Sequence, residues 1–161
     1  MLNKQLQRQL DMLGDVISQF SENQFTYMGK NEFESSPGMH VRHVLDFFLV
    51  LQRDLNSGVI DYDKRVRNTA IEENPDSALS LVYESKNWLE SLSDHCCELQ
   101  LNSPLHHQSL SSTLTRELLY LLEHCVHHFA IIRVFTERYF PEIMLHEEFG
   151  LANSTIQFQK S

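Results

Sequence analysis

Three histidines in the last third of the sequence have a spacing that suggests metal chemistry. His124, His127 and His128 lie within residues 114–140, where apolar residues recur at helical spacing. An α-helix turns by about 100° per residue, so residues four apart lie one turn apart on the same side. His128 falls among the apolar positions and His124 lies at their edge, whereas His127 points with the charged residues. The apolar positions are Leu114, Leu118, Leu121, Cys125, Phe129 and Ile132.

This inward pair of histidines has two interpretations. Two imidazoles one turn apart can bind the same ion, as in other helical metal sites. Alternatively, His124 and His128 are core histidines whose ring nitrogens bond to neighbours or water, because a buried polar group without a partner is costly. The spacing alone does not choose between them.

A second pair of histidines lies on an earlier predicted helix. Its buried side is defined by Val44, Phe47, Phe48 and Leu51. His40 falls within that side and His43 lies at its edge, much as His124 does. Either His40 or His43 could therefore face the later pair across the core, and periodicity leaves both open.

Four predicted helices must position these residues. Helical spacing, together with Ser-Pro, Asn-Pro and Ser-Ser-Thr start signals, predicts them over residues 2–20, 36–57, 74–92 and 111–140. Residues 95–111 are predicted to be irregular or briefly extended, residues 59–74 to be a charged linker, and residues 142–161 to lack a helical period. Four amphipathic helices bury their apolar sides best against each other. The expected fold class is therefore all-α, a four-helix bundle in a single domain over residues 1–161.

Composition narrows the possible partners. The chain has 161 residues with a formal net charge of −9, which argues against nucleic acid or an anionic membrane as the main partner. Its three cysteines, two of them adjacent, suit neither a disulfide framework nor a zinc ribbon. We expect no signal peptide and no membrane-spanning segment, and hence a cytoplasmic protein.

Two blocks of sequence resemble the DinB-like family of metal-binding helical proteins. Residues 38–47 (GMHVRHVLDF) resemble its second-helix signature, and residues 116–130 (RELLYLLEHCVHHFA) resemble its metal-binding helix. Residues 62–67 (YDKRVR), 71–72 and 149–155 (FGLANST) resemble further blocks of one branch of the family. The resemblance extends over most of the chain between residues 38 and 158.

This resemblance implies a DinB-like four-helix bundle with one divalent metal ion. Residue by residue, the implied ligands are His43, His124 and His128, with His43 preferred over His40. Three histidines leave coordination positions open, which is the arrangement of a reactive site. Neutral imidazoles suit Zn, Ni, Fe, Co or Cu.

Several polar residues near the implied ligands could support the metal or bind a substrate. Asp46 follows His43 by one turn, and Glu117 and Tyr120 share the side of His124. Each could orient a ligand or act as a base, and a solvated surface position is an equal alternative for each carboxylate. His40 is a further candidate for such a supporting role. Arg65, Arg67 and Arg116 could hold an anionic substrate, although a solvated linker is the favoured interpretation of the first two.

The implied function is that of a metal-dependent enzyme acting on a small molecule. Members of the resembled family include transferases that use low-molecular-weight thiols and proteins described as metal-dependent hydrolases. The alternative is a non-catalytic, stress-related protein that binds a metal or ligand. A third possibility is a purely structural role for the histidines. The resemblance also implies a homodimer.

Overall fold

The computed structural model describes residues 2–29, 34–92, 97–103 and 106–160. Within these residues the chain forms seven α-helices, two short 3-10 helices and three strands. The α-helices are α1 (Leu2–Ile17), α2 (Glu22–Phe25), α3 (Pro37–Asp54), α4 (Thr69–Glu73), α5 (Pro75–Ser91), α6 (Leu114–Tyr139) and α7 (Asn153–Gln159). The strands are β1 (Val59–Ile60), β2 (Glu98–Ser103) and β3 (His106–Thr113), and the 3-10 helices are Leu55–Ser57 and Tyr62–Lys64.

Side-chain caps determine where three of the four long helices begin. The Ser36 hydroxyl accepts a hydrogen bond from the Met39 backbone at the start of α3, at 3.2 Å. The side chain of Asn74 caps α5 in the same way, and that of Thr113 caps α6. These caps satisfy backbone N–H groups that have no partner within the helix. They confirm the helix starts predicted from the Ser-Pro, Asn-Pro and Ser-Ser-Thr signals.

The four long helices pack around one hydrophobic core. α1 packs against α5 and α6, and α3 packs against α5 and α6. Fully buried side chains from different helices meet there, including Leu10 of α1, Phe48 of α3 and Phe129 of α6. The packing of α3 directly against α6 brings together the two helices that carry the paired histidines.

The expected all-α fold class is wrong, because the chain also forms a three-stranded mixed sheet. β1 runs parallel to β2, with Val59 opposite Gln100, and β2 runs antiparallel to β3, with Leu99 opposite Ser112. In β2, Leu99 is buried between the exposed Glu98 and Gln100, as expected for the strand period of two. The prediction for residues 95–111, irregular or briefly extended, covers β2 and most of β3, and residues 95, 96, 104 and 105 of that range lie outside the described residues.

The predicted linker and tail contain more regular structure than expected. Residues 59–74 form β1, a 3-10 turn and α4, while the tail forms α7. These elements are too short to show a helical or strand period of their own. Local caps mark some of them instead, as where the Asn68 side chain accepts a hydrogen bond from the Ala70 backbone at the start of α4.

Helix α6 is long and apolar enough, by length and composition alone, to cross a membrane. The central helix of a soluble protein passes the same test, so the finding is weak support for a membrane location. In this chain α6 contributes fully buried residues, among them Cys125, Phe129 and Ile132, to the shared core.

Gly38 allows the close approach of α3 to α4, which leads to a prediction about stability. A Cβ at Gly38 would collide with the backbone carbonyl of Glu72, whereas a Cβ at Gly14 would make only ordinary contacts, the nearest 3.7 Å from Val82. Gly38→Ala should therefore destabilise the chain by roughly 1–3 kcal/mol through overpacking. Gly14→Ala should instead stabilise it by about 0.5–1 kcal/mol. Urea unfolding of the two variants measures both changes, and equal effects of the two substitutions would contradict this packing.

Candidate metal centre

Three imidazole rings meet where α3 packs against α6. His43 comes from α3, and His124 and His128 come from α6. One possible ligand atom from each residue lies within 4.8 Å of those from the other two. The ring centroids are 5.0 Å apart for His43 and His124, 4.6 Å for His43 and His128, and 4.5 Å for His124 and His128. The structure thus brings together the three residues implied as ligands, and this group could hold a metal ion.

His127 takes no part in this group. Its side chain is exposed, as the helical wheel predicts, and its ring meets that of His128 only edge-on. The difference between His127 and its neighbour follows from the 100° turn per residue. His127 therefore offers a matched control for substitutions at the three clustered histidines.

His40 supports the cluster from outside it. Its Nδ1 lies 3.0 Å from Nδ1 of His128, and its Nε2 lies 2.8 Å from the Ser35 hydroxyl. A ligand role for Nε2 of His128 requires the proton on Nδ1, which then donates to Nδ1 of His40. The opposite nitrogen of His40 in turn donates to Ser35. His40 and His43, which periodicity left open as ligands, therefore occupy different places: His43 in the cluster and His40 behind it.

The donor atoms fit a divalent transition metal ion. Nε2 of His124 is buried and has no hydrogen-bond partner within the described part of the chain. An unpartnered buried nitrogen is costly, so the interpretation of His124 as an ordinary, hydrogen-bonded core histidine fits poorly. Imidazole nitrogens are common ligands of such ions, and coordination to a metal ion would give Nε2 of His124 a partner.

The surroundings keep the clustered rings neutral, the form that binds metal. Burial, followed by the charge of Arg65, lowers the pKa of His43 from 6.5 to about 4. Burial and neighbouring His43 lower the pKa of His124 to about 4. Burial and the two other clustered histidines lower the pKa of His128 to about 2. All three rings are therefore ready to coordinate at neutral pH without first losing a proton.

The two carboxylates considered as supporting groups lie outside the group of ligand atoms. Both are buried, which rules out a solvated surface position for either. Glu117 accepts hydrogen bonds from the Tyr62 hydroxyl at 2.8 Å, from the Ser112 hydroxyl and from Arg116 at 3.3 Å. Its oxygens are thus committed to the sheet, the linker and its own helix.

Asp46 is buried beside Arg42 rather than among the histidines. The nearest pair of charged atoms, Oδ2 of Asp46 and Nε of Arg42, is 3.8 Å apart. Neither carboxylate oxygen of Asp46 has a hydrogen-bond partner among the described residues. Burial therefore raises the pKa of Asp46 from 3.8 to about 6.

An aromatic stack holds the His124 ring in place, and it includes residues that the sequence analysis did not single out for the site. Phe47 stacks on His124 with ring centroids 4.1 Å apart and on Tyr62 with centroids 4.9 Å apart. Tyr62 is fixed by its hydrogen bond to Glu117. The spacing of Phe47, one turn after His43, was a usable signal, but it indicated only a core position. Tyr62 lies in the linker, where no period exists.

A cleft of about 250 Å³ adjoins this stack. It is lined by Phe47, Tyr62, Asp63, Arg65, Leu101, Asn102, Ser103, Arg116 and Tyr120. The predicted substrate candidates Arg116 and Tyr120 thus lie together, and Arg65 joins them. Arg67 is exposed and does not line this cleft.

No family description, characterised protein or solved structure matches this chain. Functional inference therefore depends on the chemistry of the histidine cluster and its surroundings. The resemblance to the DinB-like family stays an interpretation of the sequence.

The lowered histidine pKa values predict how the metal-free protein responds to acid. His43 and His124 have pKa values of 6.5 in the unfolded chain and about 4 in the folded chain. The unfolded chain therefore binds more protons between these values, and the free energy of unfolding should decrease as the pH is lowered from about 6.5 to 4. Asp46 opposes this between about 6 and 3.8, because the folded chain binds its proton first. The histidines outnumber it, so the net change is a loss of stability.

Urea unfolding of chelator-treated protein at pH 7 and pH 5 measures this loss. Asp46→Asn removes the opposing contribution and should steepen the pH dependence, whereas His127→Gln, at an exposed position, should change it less than Asp46→Asn does. Equal free energies of unfolding at the two pH values would show that the rings are not desolvated in the folded chain.

Proposed function

We propose that this chain is a metal-dependent enzyme of the DinB-like type, a hydrolase or a low-molecular-weight-thiol transferase acting on a small molecule. The observation that carries this proposal is the set of three imidazole donors from His43, His124 and His128, within 4.8 Å of one another and joined by no carboxylate of the described residues. A site kept only for stability is more often closed by a fourth protein ligand.

Three protein ligands leave coordination positions for a substrate. A divalent ion held here would supply a Lewis acid and favour the deprotonated form of water or a thiol. Imidazole donors suit Zn, Ni, Fe, Co or Cu. The hydrolase and transferase versions differ in whether a thiol is needed for turnover.

The residues around the cluster have distinct supporting roles in this proposal. His40 fixes the tautomer and orientation of His128 through the bond between their Nδ1 atoms. Phe47 covers one face of His124 and excludes water there. The ring centroids of Tyr120 and His124 are 5.8 Å apart. Burial raises the pKa of the Tyr120 hydroxyl, so this group stays protonated and can donate a hydrogen bond to a substrate. Glu117 positions Tyr62 through the hydrogen bond that it accepts from the Tyr62 hydroxyl.

The competing function is a non-catalytic metal- or ligand-binding protein. It requires a coordination sphere closed to outside ligands. Asp46, with no hydrogen-bond partner among the described residues, is the nearest carboxylate to His43 along α3, yet it does not join the group of ligand atoms. The predicted homodimer and cytoplasmic location stay predictions, since a single chain bears on neither.

Cobalt binding tests whether the site exists and is open. The wild-type chain and His127→Ala should each bind one Co²⁺ with a visible absorption spectrum, whereas His128→Ala should lose stoichiometric binding because it removes one of three donors. Addition of azide or a small thiol to the cobalt protein should change that spectrum, because an open position accepts them directly. Circular dichroism would verify that each variant is folded.

Two results would contradict this proposal. Retention of cobalt by His128→Ala, with loss in His127→Ala, would mean that a different face of α6 binds the metal. A cobalt spectrum indifferent to thiols and azide would indicate a closed site and favour the non-catalytic alternative.

A further inference from the structure

We infer that the cleft beside the histidine cluster binds the carboxylate of a small organic monoanion. The cleft, here called the arginine cleft, is the space of about 250 Å³ lined by Arg65, Arg116, Tyr120, Leu101 and the neighbouring residues given above. This inference rests on the proposed function, because the bound anion would be the substrate of the same site. It adds the chemical class of that substrate.

Arg65 offers a donor that the protein leaves unused. Its Nε is buried and has no hydrogen-bond partner among the described residues, while its Nη1 donates only a long bond, 3.4 Å, to the carbonyl of Tyr62. A buried donor without a partner is costly, and a carboxylate in the cleft would satisfy it through a charge-assisted hydrogen bond once a small turn of the side chain exposes Nε. The guanidinium carbon also lies 5.9 Å from the centre of the Phe47 ring, which limits the directions in which the side chain can turn.

Arg116 supplies the second positive charge of the arginine cleft. Its guanidinium carbon lies 5.1 Å from the centre of the Tyr120 ring, and its Nη1 lies 3.3 Å from Glu117. These contacts fix the group at the mouth, yet its side chain remains 55% exposed and therefore accessible to a ligand. A planar guanidinium suits the geometry of a carboxylate better than an ammonium does.

The other residues that line the arginine cleft favour a ligand with an apolar body and a single negative charge. Phe47, Leu101 and Tyr120 present apolar surface, which favours an apolar body attached to the anionic group. Asp63 also lines the cleft, and its negative charge disfavours a second negative charge on the ligand. A monoanionic carboxylate therefore fits better than a phosphate. The volume admits only a small molecule, since pockets for drug-sized ligands measure roughly 300–1,000 Å³.

The arginine cleft and the histidine cluster share a wall. Phe47 and Tyr120 both line the cleft, and their rings lie 4.1 Å and 5.8 Å from that of His124. A ligand anchored at Arg65 would therefore lie close to the metal ligands. Such anchoring of a distant group is how enzymes hold a reacting group in position.

Binding of benzoate to the metal-free protein tests this inference without involving the ion. Calorimetry or NMR titration should show that the wild-type protein binds benzoate. Arg65→Gln should bind it at least about tenfold more weakly, which is the loss expected for one charge-assisted hydrogen bond. Arg67→Gln removes the same charge from an exposed neighbour outside the cleft and should bind as wild type. Benzamide, the neutral analogue, and phenyl phosphate should both bind more weakly than benzoate.

Three outcomes would overturn the inference: no benzoate binding by the wild-type protein, equal losses in Arg65→Gln and Arg67→Gln, or tighter binding of phenyl phosphate. If Arg65→Gln does not fold, Arg65→Lys keeps the charge but loses the planar group, and it should still weaken benzoate binding relative to Arg67→Lys. The experiment is independent of the proposed metal site. Benzoate binding with no metal binding would refute the proposed enzyme alone, and metal binding with no benzoate binding would refute the cleft alone.

Discussion

The packing of α3 against α6 half-buries three imidazole rings and so disfavours their charged forms, and the chemistry of this chain depends on that constraint. Burial is the largest cause of the lowered pKa values of His43, His124 and His128. Neutral rings so close together present lone pairs rather than charges, and the buried Nε2 of His124 has no partner among the described residues. A divalent metal ion bound by the three rings would give these nitrogens a partner while leaving the helices in contact.

A second buried group connects the rest of the fold to this cluster. The carboxylate of Glu117 is fully buried and accepts hydrogen bonds from Tyr62 in the linker and Ser112 at the end of β3. Tyr62 packs on Phe47, and Phe47 packs on His124. The small sheet therefore contributes to the site through these contacts. It fixes the linker that carries both Tyr62 and Arg65 beside the helix that carries the ligands.

The sequence predicted those parts of the structure that repeat over several turns or that begin with a cap. The starts of α3, α5 and α6 were predicted from Ser36-Pro37, Asn74-Pro75 and the Ser-Ser-Thr run at residues 111–113, and the exposed position of His127 from the helical wheel. β1 was missed because it has two residues and pairs with a strand distant in sequence, so local pattern cannot reveal it. β2 and β3 lie in the segment predicted to be irregular or briefly extended, where the alternation of buried and exposed residues in β2 is confined to residues 98–100. Periodicity also left His40 and His43 equivalent. Only the packing of α3 on α6 separates them, since it places one in the cluster and the other against Nδ1 of His128.

The most direct test of the metal centre is anomalous diffraction from a crystal of the chain loaded with zinc. We predict a single strong peak about 2.0–2.1 Å from one ring nitrogen of each of His43, His124 and His128, the usual Zn–N distance. His40 should remain outside bonding distance and keep its contact with His128. A peak bonded to His40 or His127 in place of one of the three, or a fourth bond from Asp46, would contradict the account of an open three-histidine site.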